Sequence, residues 1–137
     1  MYERIVAEQP TNARALVILA TAYWLTGRGP EAVAALAVRA RAVEPRNRGA
    51  WHLWALTEAN PRQRVDRWRL VCSEFPDDDL ARANLADNAA SLAGAEDDPA
   101  ALQLALETYV ELRRRATEPT QIAALDQALT TLRQWSV

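Results

Sequence analysis

The chain has 137 residues, about one domain by length, with half of its residues apolar and a quarter charged. This composition is ordinary for a globular protein and too apolar for a disordered one. A formal net charge of −2 argues against a general nucleic-acid binder, whose affinity comes from many phosphate contacts. The single cysteine, Cys72, cannot form an internal disulfide, which agrees with a reducing compartment, and we expect a cytoplasmic protein.

The N-terminal segment contains two glutamates and no apolar stretch, so it does not have the pattern of a signal peptide. The most apolar run, ALVILATAYWL, is about half as long as a membrane-spanning helix must be. The sequence therefore predicts no membrane partner.

Four prolines open similar sequence boxes, and an alanine stands five residues after each proline. The pairs are Pro10 and Ala15, Pro45 and Ala50, Pro76 and Ala81, and Pro119 and Ala124. The ninth and tenth residues after the first three prolines are a large and a small residue, Leu19-Ala20, Trp54-Ala55 and Leu85-Ala86, and after the fourth they are Ala128-Leu129. A large residue beside a small one, at fixed register, suits a helix that packs closely on a neighbour.

A second set of prolines falls between the boxes, at Gly29-Pro30, Asn60-Pro61 and Asp98-Pro99. Each pair predicts an N-cap followed by proline at the first helical position, where the missing N–H has no cost. Each unit is therefore predicted to be a helix, a turn, a second helix and a proline exit.

The first unit resembles a tetratricopeptide repeat (TPR), whose signature is W-x2-L-G-x2-Y, then A-x3-F, then P. Its signature positions hold Leu16, Leu19, Ala20, Tyr23, Ala32, Leu36 and Pro45. The second unit matches at Trp51, Trp54 and Ala55, and resembles the degenerate repeats of many bacterial proteins of this family. The resemblance implies an all-α fold: a right-handed superhelix of about three helix–turn–helix pairs, seven or eight helices in all, with a C-terminal capping helix.

This register divides one predicted domain, 1–137, into five segments. They are a half-repeat at 2–10, repeat one at 11–45, repeat two at 46–76, a degenerate repeat three at 77–118 and a capping helix at 119–136.

In TPR domains the first helix of each pair lines the concave face that binds a partner. The resemblance places partner-binding positions at Arg14, Val17, Thr21, Trp24, His52, Leu56 and Asp87. The lysines and asparagines with which some TPR domains clamp a chaperone's C-terminal carboxylate are missing, so that activity is not expected. Trp24 either anchors a partner, as aromatic residues often do, or packs under the N-terminal half-repeat.

No catalytic or metal-binding constellation is predicted, and no cofactor is expected. His52 is the only histidine and has no matched metal ligand or nucleophile, so a satisfied or solvated helix position is favoured. Cys72 recurs at helical spacing with Val65, Trp68 and Phe75, which predicts a buried, unreactive thiol.

Two acidic runs, 77–79 and 96–98, lie at predicted helix starts, where carboxylates cap free N–H groups, and this interpretation is preferred to a metal site. Two arginine groups, one within 62–69 and one at 113–115, predict solvated faces. The alternative is that one group receives an acidic segment of a partner.

The sequence thus favours a non-catalytic interaction module, a scaffold or adaptor that holds a protein or peptide on its concave face. The alternative is a structural subunit that self-associates, or docks edge to edge in a larger assembly, through the apolar surface of an uncapped repeat end. An enzyme is the least favoured class.

Overall fold

The computed structural model describes residues 2–135, which form eight α-helices without any strand, so the predicted all-α class is confirmed. The last residue of the predicted capping helix, 136, lies outside the described residues. The helices are α1 (Tyr2–Glu8), α2 (Ala13–Leu25), α3 (Pro30–Val43), α4 (Arg48–Leu56), α5 (Pro61–Glu74), α6 (Asp79–Glu96), α7 (Pro99–Arg115) and α8 (Pro119–Trp135).

Three of these helices, α2, α4 and α6, begin with the same hydrogen bond. The N-cap residue two positions after the box proline accepts a hydrogen bond through its side-chain oxygen from the N–H of the box alanine. The bonds are Asn12 to Ala15 at 3.1 Å, Asn47 to Ala50 at 3.1 Å and Asp78 to Ala81 at 3.0 Å. Because the N-terminal N–H groups of a helix have no intrahelical partner, this bond fixes where each helix starts.

The repeated start also fixes which side chains are buried. The three capped alanines are 3%, 0% and 0% exposed, and the alanines five residues further on, Ala20, Ala55 and Ala86, are completely buried. Small residues therefore recur on the packed side of α2, α4 and α6, as the large-then-small pattern predicts.

The fourth box is different, and the equivalence predicted for it is wrong. Pro119 is the first residue of α8, and the carboxylate of Glu118 caps the helix by accepting from the N–H groups of Thr120 and Gln121 at 3.1 and 2.8 Å. Ala124 is exposed. The reason is local: the position two residues after Pro119 is glutamine, a poor N-cap, whereas a carboxylate immediately precedes the proline.

Pro119 therefore belongs with the prolines that open α3, α5 and α7. Asp98 caps α7 by accepting from the N–H groups of Ala100 and Ala101, at 2.9 and 3.2 Å. Asn60 accepts from the N–H of Gln63 at 3.1 Å at the start of α5. The helix starts predicted at these prolines are confirmed.

The chain forms two compact units, each larger than one predicted repeat. From here on, the first unit means the part up to Arg67 and the second unit the part from Trp68 onward, so the division falls within α5. In the first unit α2 contacts α1, α3 and α4, and α3 also contacts α4. Its core comprises apolar residues from these four helices, including Val6, Leu16, Leu19, Val33, Leu36 and Leu53. In the second unit α7 contacts both α6 and α8.

The turn between α2 and α3 depends on two glycines. Gly27 and Gly29 have φ values of 73° and 100°, a backbone region that side chains with a Cβ disfavour. The short turn and the shared core make α2 and α3 an antiparallel hairpin.

We expect Asn12→Ala to lower the free energy of unfolding by about 1 kcal/mol, because the N–H of Ala15 loses its acceptor. Urea unfolding followed by circular dichroism measures the loss. Thr11→Ala is the matched control, since Thr11 is exposed and precedes the cap, and it should change stability by less than about 0.5 kcal/mol. Equal losses in the two variants would contradict a specific role for the cap.

Candidate functional site

Four of the predicted partner-binding residues lie along one side of α2. Arg14, Val17, Thr21 and Trp24 are spaced by three and four residues, so their side chains project in similar directions. The buried side, which includes Leu16, lies next to them. The predicted positions thus share one flank of the helix.

Helix α4 lies close against this flank. A Cβ added at Gly49 would lie 3.2 Å from Cγ1 of Val17, so the glycine allows a closer approach than a larger residue would. His52 and Leu56 follow Gly49 on the same side of α4, and both are half-buried. Leu56 and Val17 both pack against the core of the first unit.

We call this surface the α2–α4 face; its members are Arg14, Val17, Thr21, Trp24, His52 and Leu56. Six of the seven predicted residues thus lie on two helices that contact each other. Val17 and Leu56 supply a partly buried apolar floor, while Arg14 and Thr21 are exposed.

Trp24 is the most prominent apolar side chain of the α2–α4 face, with 40% of its surface exposed. Its neighbour Tyr23 is hydrogen-bonded to α1, because the Tyr23 hydroxyl donates to the carboxylate of Glu3 at 3.0 Å. Arg28 donates to the same carboxylate at 3.3 Å. The guanidinium of Arg28 also lies 4.8 Å from the centroid of the Tyr23 ring. Helix α1 thus bonds to Tyr23 through Glu3, while the indole of Trp24 retains a large exposed area.

Asp87, the seventh predicted residue, lies in the second unit on α6. Its carboxylate accepts a hydrogen bond of 2.5 Å from the hydroxyl of Tyr109 on α7. Burial of the phenol, together with this hydrogen bond, raises the pKa of Tyr109 above its ordinary value. Asp87 therefore has a structural partner within its own unit.

A cation–aromatic cluster in the first unit was not predicted from the sequence. The rings of Trp51 and Trp54 meet edge to face, with centroids 5.7 Å apart and planes at 83°. The Arg41 guanidinium lies 4.1 and 4.2 Å from the two ring centroids, and that of Arg67 lies 4.7 Å from the Trp54 centroid. Arg67 also pairs with Glu58 at 2.7 Å and donates to the carbonyl of Trp54 at 2.8 Å.

The prediction of solvated arginine faces holds for Arg62, Arg69 and Arg114, which are exposed, whereas the other members of both groups are partly buried. Arg67 is half-buried and paired, and Arg64 donates to the carbonyl of Glu58 at 2.8 Å. In the second group Arg113 pairs with Asp126 at 2.8 Å. The other two members pair with carboxylates of the same unit, Arg114 with Glu111 and Arg115 with Asp79. An acidic partner segment would have to compete with these internal carboxylates for the arginines.

The acidic runs act mainly as helix caps and ion-pair partners. Asp78 and Asp98 cap α6 and α7, which confirms the preferred interpretation, and Asp79 pairs with Arg82 and Arg115, both at 2.7 Å. Within residues 2–135 the histidine, cysteine and acidic side chains form no group of three or more that could hold a metal ion.

The buried stripe predicted for α5 and the residues after it is confirmed for Val65, Trp68 and Phe75, which are 5%, 2% and 5% exposed. Cys72 is half-buried, and burial raises the pKa of its thiol to about 11. At neutral pH the sulfur is therefore almost entirely protonated.

None of the helices within residues 2–135 has both the length and the apolar character needed to cross a membrane. The chain matches no protein-family model, and a search of curated proteins gives no significant match.

We expect Arg67→Ala to lower the free energy of unfolding by about 2 kcal/mol, because it removes an ion pair, a hydrogen bond and a cation–π contact together. Urea unfolding measures the loss. Arg69→Ala, at an exposed position on the same helix, is the control and should change stability by less than about 0.5 kcal/mol. A loss for Arg67→Ala as small as the control's would show that the cluster contributes little.

We expect Cys72 in the folded chain to react with iodoacetamide at pH 8 at least about tenfold more slowly than in urea, since the raised pKa lowers the thiolate fraction. The folded-state rate should keep rising with pH up to about 11. Mass spectrometry of quenched samples gives both rates. A folded-state rate that levels off near pH 8 would contradict an unreactive thiol.

Proposed function

We propose that this chain is a non-catalytic, TPR-like interaction module that binds a peptide or the surface of a partner protein on the α2–α4 face. The observation that carries the proposal is the half-exposed Trp24 at one end of a face whose floor is apolar and partly buried. The repeated caps of α2, α4 and α6 support the TPR-like part, and with it the proposal of a right-handed superhelix closed by α8. We also propose a cytoplasmic location, as the unpaired cysteine suggests.

The chemistry of the face indicates what it would bind. An indole at an interface contributes a large contact area at low entropic cost, and Trp is enriched among residues that dominate binding energy. Arg14 precedes Trp24 by ten residues, which places it about 15 Å away along α2. A partner segment with an apolar side chain over Trp24 and a carboxylate near Arg14 would satisfy both ends of the face.

A pull-down with the purified chain tests this proposal. We expect the double variant Trp24→Ala/His52→Ala to reduce capture of a partner at least tenfold, because it removes the exposed indole and the imidazole of the face. Val110→Ala is the matched control: its side chain is 47% exposed on α7 and belongs neither to the α2–α4 face nor to the lining of a cleft, so capture should be unchanged. Circular dichroism establishes that both variants remain helical.

Retained capture by the double variant, or an equal loss in the control, would contradict the proposal. A self-associating structural subunit is the competing function, and exposed apolar residues outside the face favour it: Leu25 is 78% exposed and Val38 is 55% exposed. Light scattering separates the two. A concentration-dependent mass that Trp24→Ala/His52→Ala leaves unchanged would support self-association.

A further inference from the structure

The second unit contains a cleft at the end where α6 stops and α7 begins. It has a volume of about 740 Å³, within the range of sites that bind small ligands or single side chains of a peptide. Its lining includes Gly94, Asp97, Pro99, Leu102, Leu106 and Trp135. None of these residues belongs to the α2–α4 face, so the cleft is a separate site.

The walls of the cleft are mainly apolar, and one of them is aromatic. A Cβ added at Gly94 would lie 3.3 Å from Cη2 of Trp135, so the indole edge rests against the backbone of α6. The same indole is 49% exposed, which leaves much of its surface open to a ligand. Leu102 and Leu106, one turn apart on α7, are half-buried beside it.

The electrostatic environment of the cleft favours a cation. The C-terminal carbonyls of the 18-residue helix α6 carry partial negative charge, and Asp97 follows them with an exposed carboxylate. The opposing positive end of α7 is already neutralised by Asp98, which caps the N–H groups of Ala100 and Ala101. Arg133, two residues before Trp135 on α8, is the nearest basic residue in sequence and does not contribute to the lining.

We propose that this cleft binds a basic peptide segment of a partner protein, with an arginine of that segment as the anchor. Its guanidinium stacks on the indole of Trp135 and pairs with the carboxylate of Asp97, while an adjacent apolar residue packs on Leu102 and Leu106. A planar guanidinium suits this combination, because it stacks on aromatic rings and can donate two parallel hydrogen bonds to a carboxylate. An anionic ligand would face both the carboxylate and the negative end of α6.

The five tryptophan indole N–H signals of the full-length chain give a direct readout by nuclear magnetic resonance. The probe is the blocked tripeptide Leu-Arg-Leu, titrated to about 5 mM because a ligand with one anchored side chain binds weakly. We expect the Trp135 signal, assigned with Trp135→Phe, to shift and the other four to stay. The same tripeptide with citrulline or glutamate at the centre, which lacks the positive charge, should bind at least about fivefold more weakly.

Asp97→Asn provides the matched test of the carboxylate. Asp97 has φ 49° and ψ 43°, a left-handed conformation that asparagine also adopts, so the substitution removes the charge without adding strain. We expect it to weaken binding of the arginine peptide about fivefold, and Asp66→Asn, at an exposed position on α5, to leave binding unchanged.

Three results of the peptide titrations would overturn the proposal. They are equal binding of the arginine and glutamate peptides, a shift of another indole in place of Trp135, and unchanged affinity in Asp97→Asn. A Trp135 signal that moves with protein concentration alone would identify a second copy of the chain as the occupant and would also overturn it. The outcome is independent of the pull-down on the α2–α4 face, because the two sites share no residue.

Discussion

The hydrogen bond from a buried alanine N–H to the side-chain oxygen of an N-cap three residues earlier is the interaction on which the helix register depends. It occurs at Asn12, Asn47 and Asp78, at nearly equal distances of 3.1, 3.1 and 3.0 Å. An N-cap side chain satisfies a donor that the helix itself cannot, so it selects one starting residue among several possible ones. Once the start is fixed, the 3.6-residue period determines which side chains are buried.

The candidate site follows from this register. With α2 starting at Ala13 and α4 at Arg48, Val17 and Gly49 meet, and the absent side chain at Gly49 allows the two helices to approach. The same register turns Trp24 away from the core cluster and leaves it partly exposed, while Tyr23 is held by Glu3 of α1. We therefore propose that a partner binds where the helix register leaves Trp24 partly exposed on the same face as the apolar residues Val17 and Leu56.

Much of the fold was predictable because its determinants are local. Asparagine and aspartate caps, prolines at first helical positions and the small alanines act within one or two turns, and all can be recognised in the sequence. Pro119 shows the limit of pattern matching: its alanine spacing equals that of the other boxes, but the capping group precedes the proline instead of following it. The two kinds of proline differ in where the capping side chain stands: two residues after Pro10, Pro45 and Pro76, but immediately before Pro119.

The features that the sequence did not predict depend on contacts between residues distant in the chain. Arg41 on α3 and Arg67 on α5 both lie against the Trp54 ring. Because they belong to different helices, the helical period within one segment does not indicate that they meet. The cleft of the second unit similarly requires Trp135, near the end of α8, to reach Gly94 on α6. Six of the predicted partner-binding residues lie on the contacting helices α2 and α4, whereas Asp87 lies in the second unit, together with its hydrogen-bond partner Tyr109.

Amide hydrogen exchange tests the repeated cap most directly. The N–H groups of Ala15, Ala50 and Ala81 should exchange at least about tenfold more slowly than those of the residues just before them, Arg14, Gly49 and Leu80, because only the alanine amides donate to a cap. Slow exchange at all three alanines would support one shared mechanism for starting the three helices. Alanine amides that exchange as fast as their neighbours would contradict it.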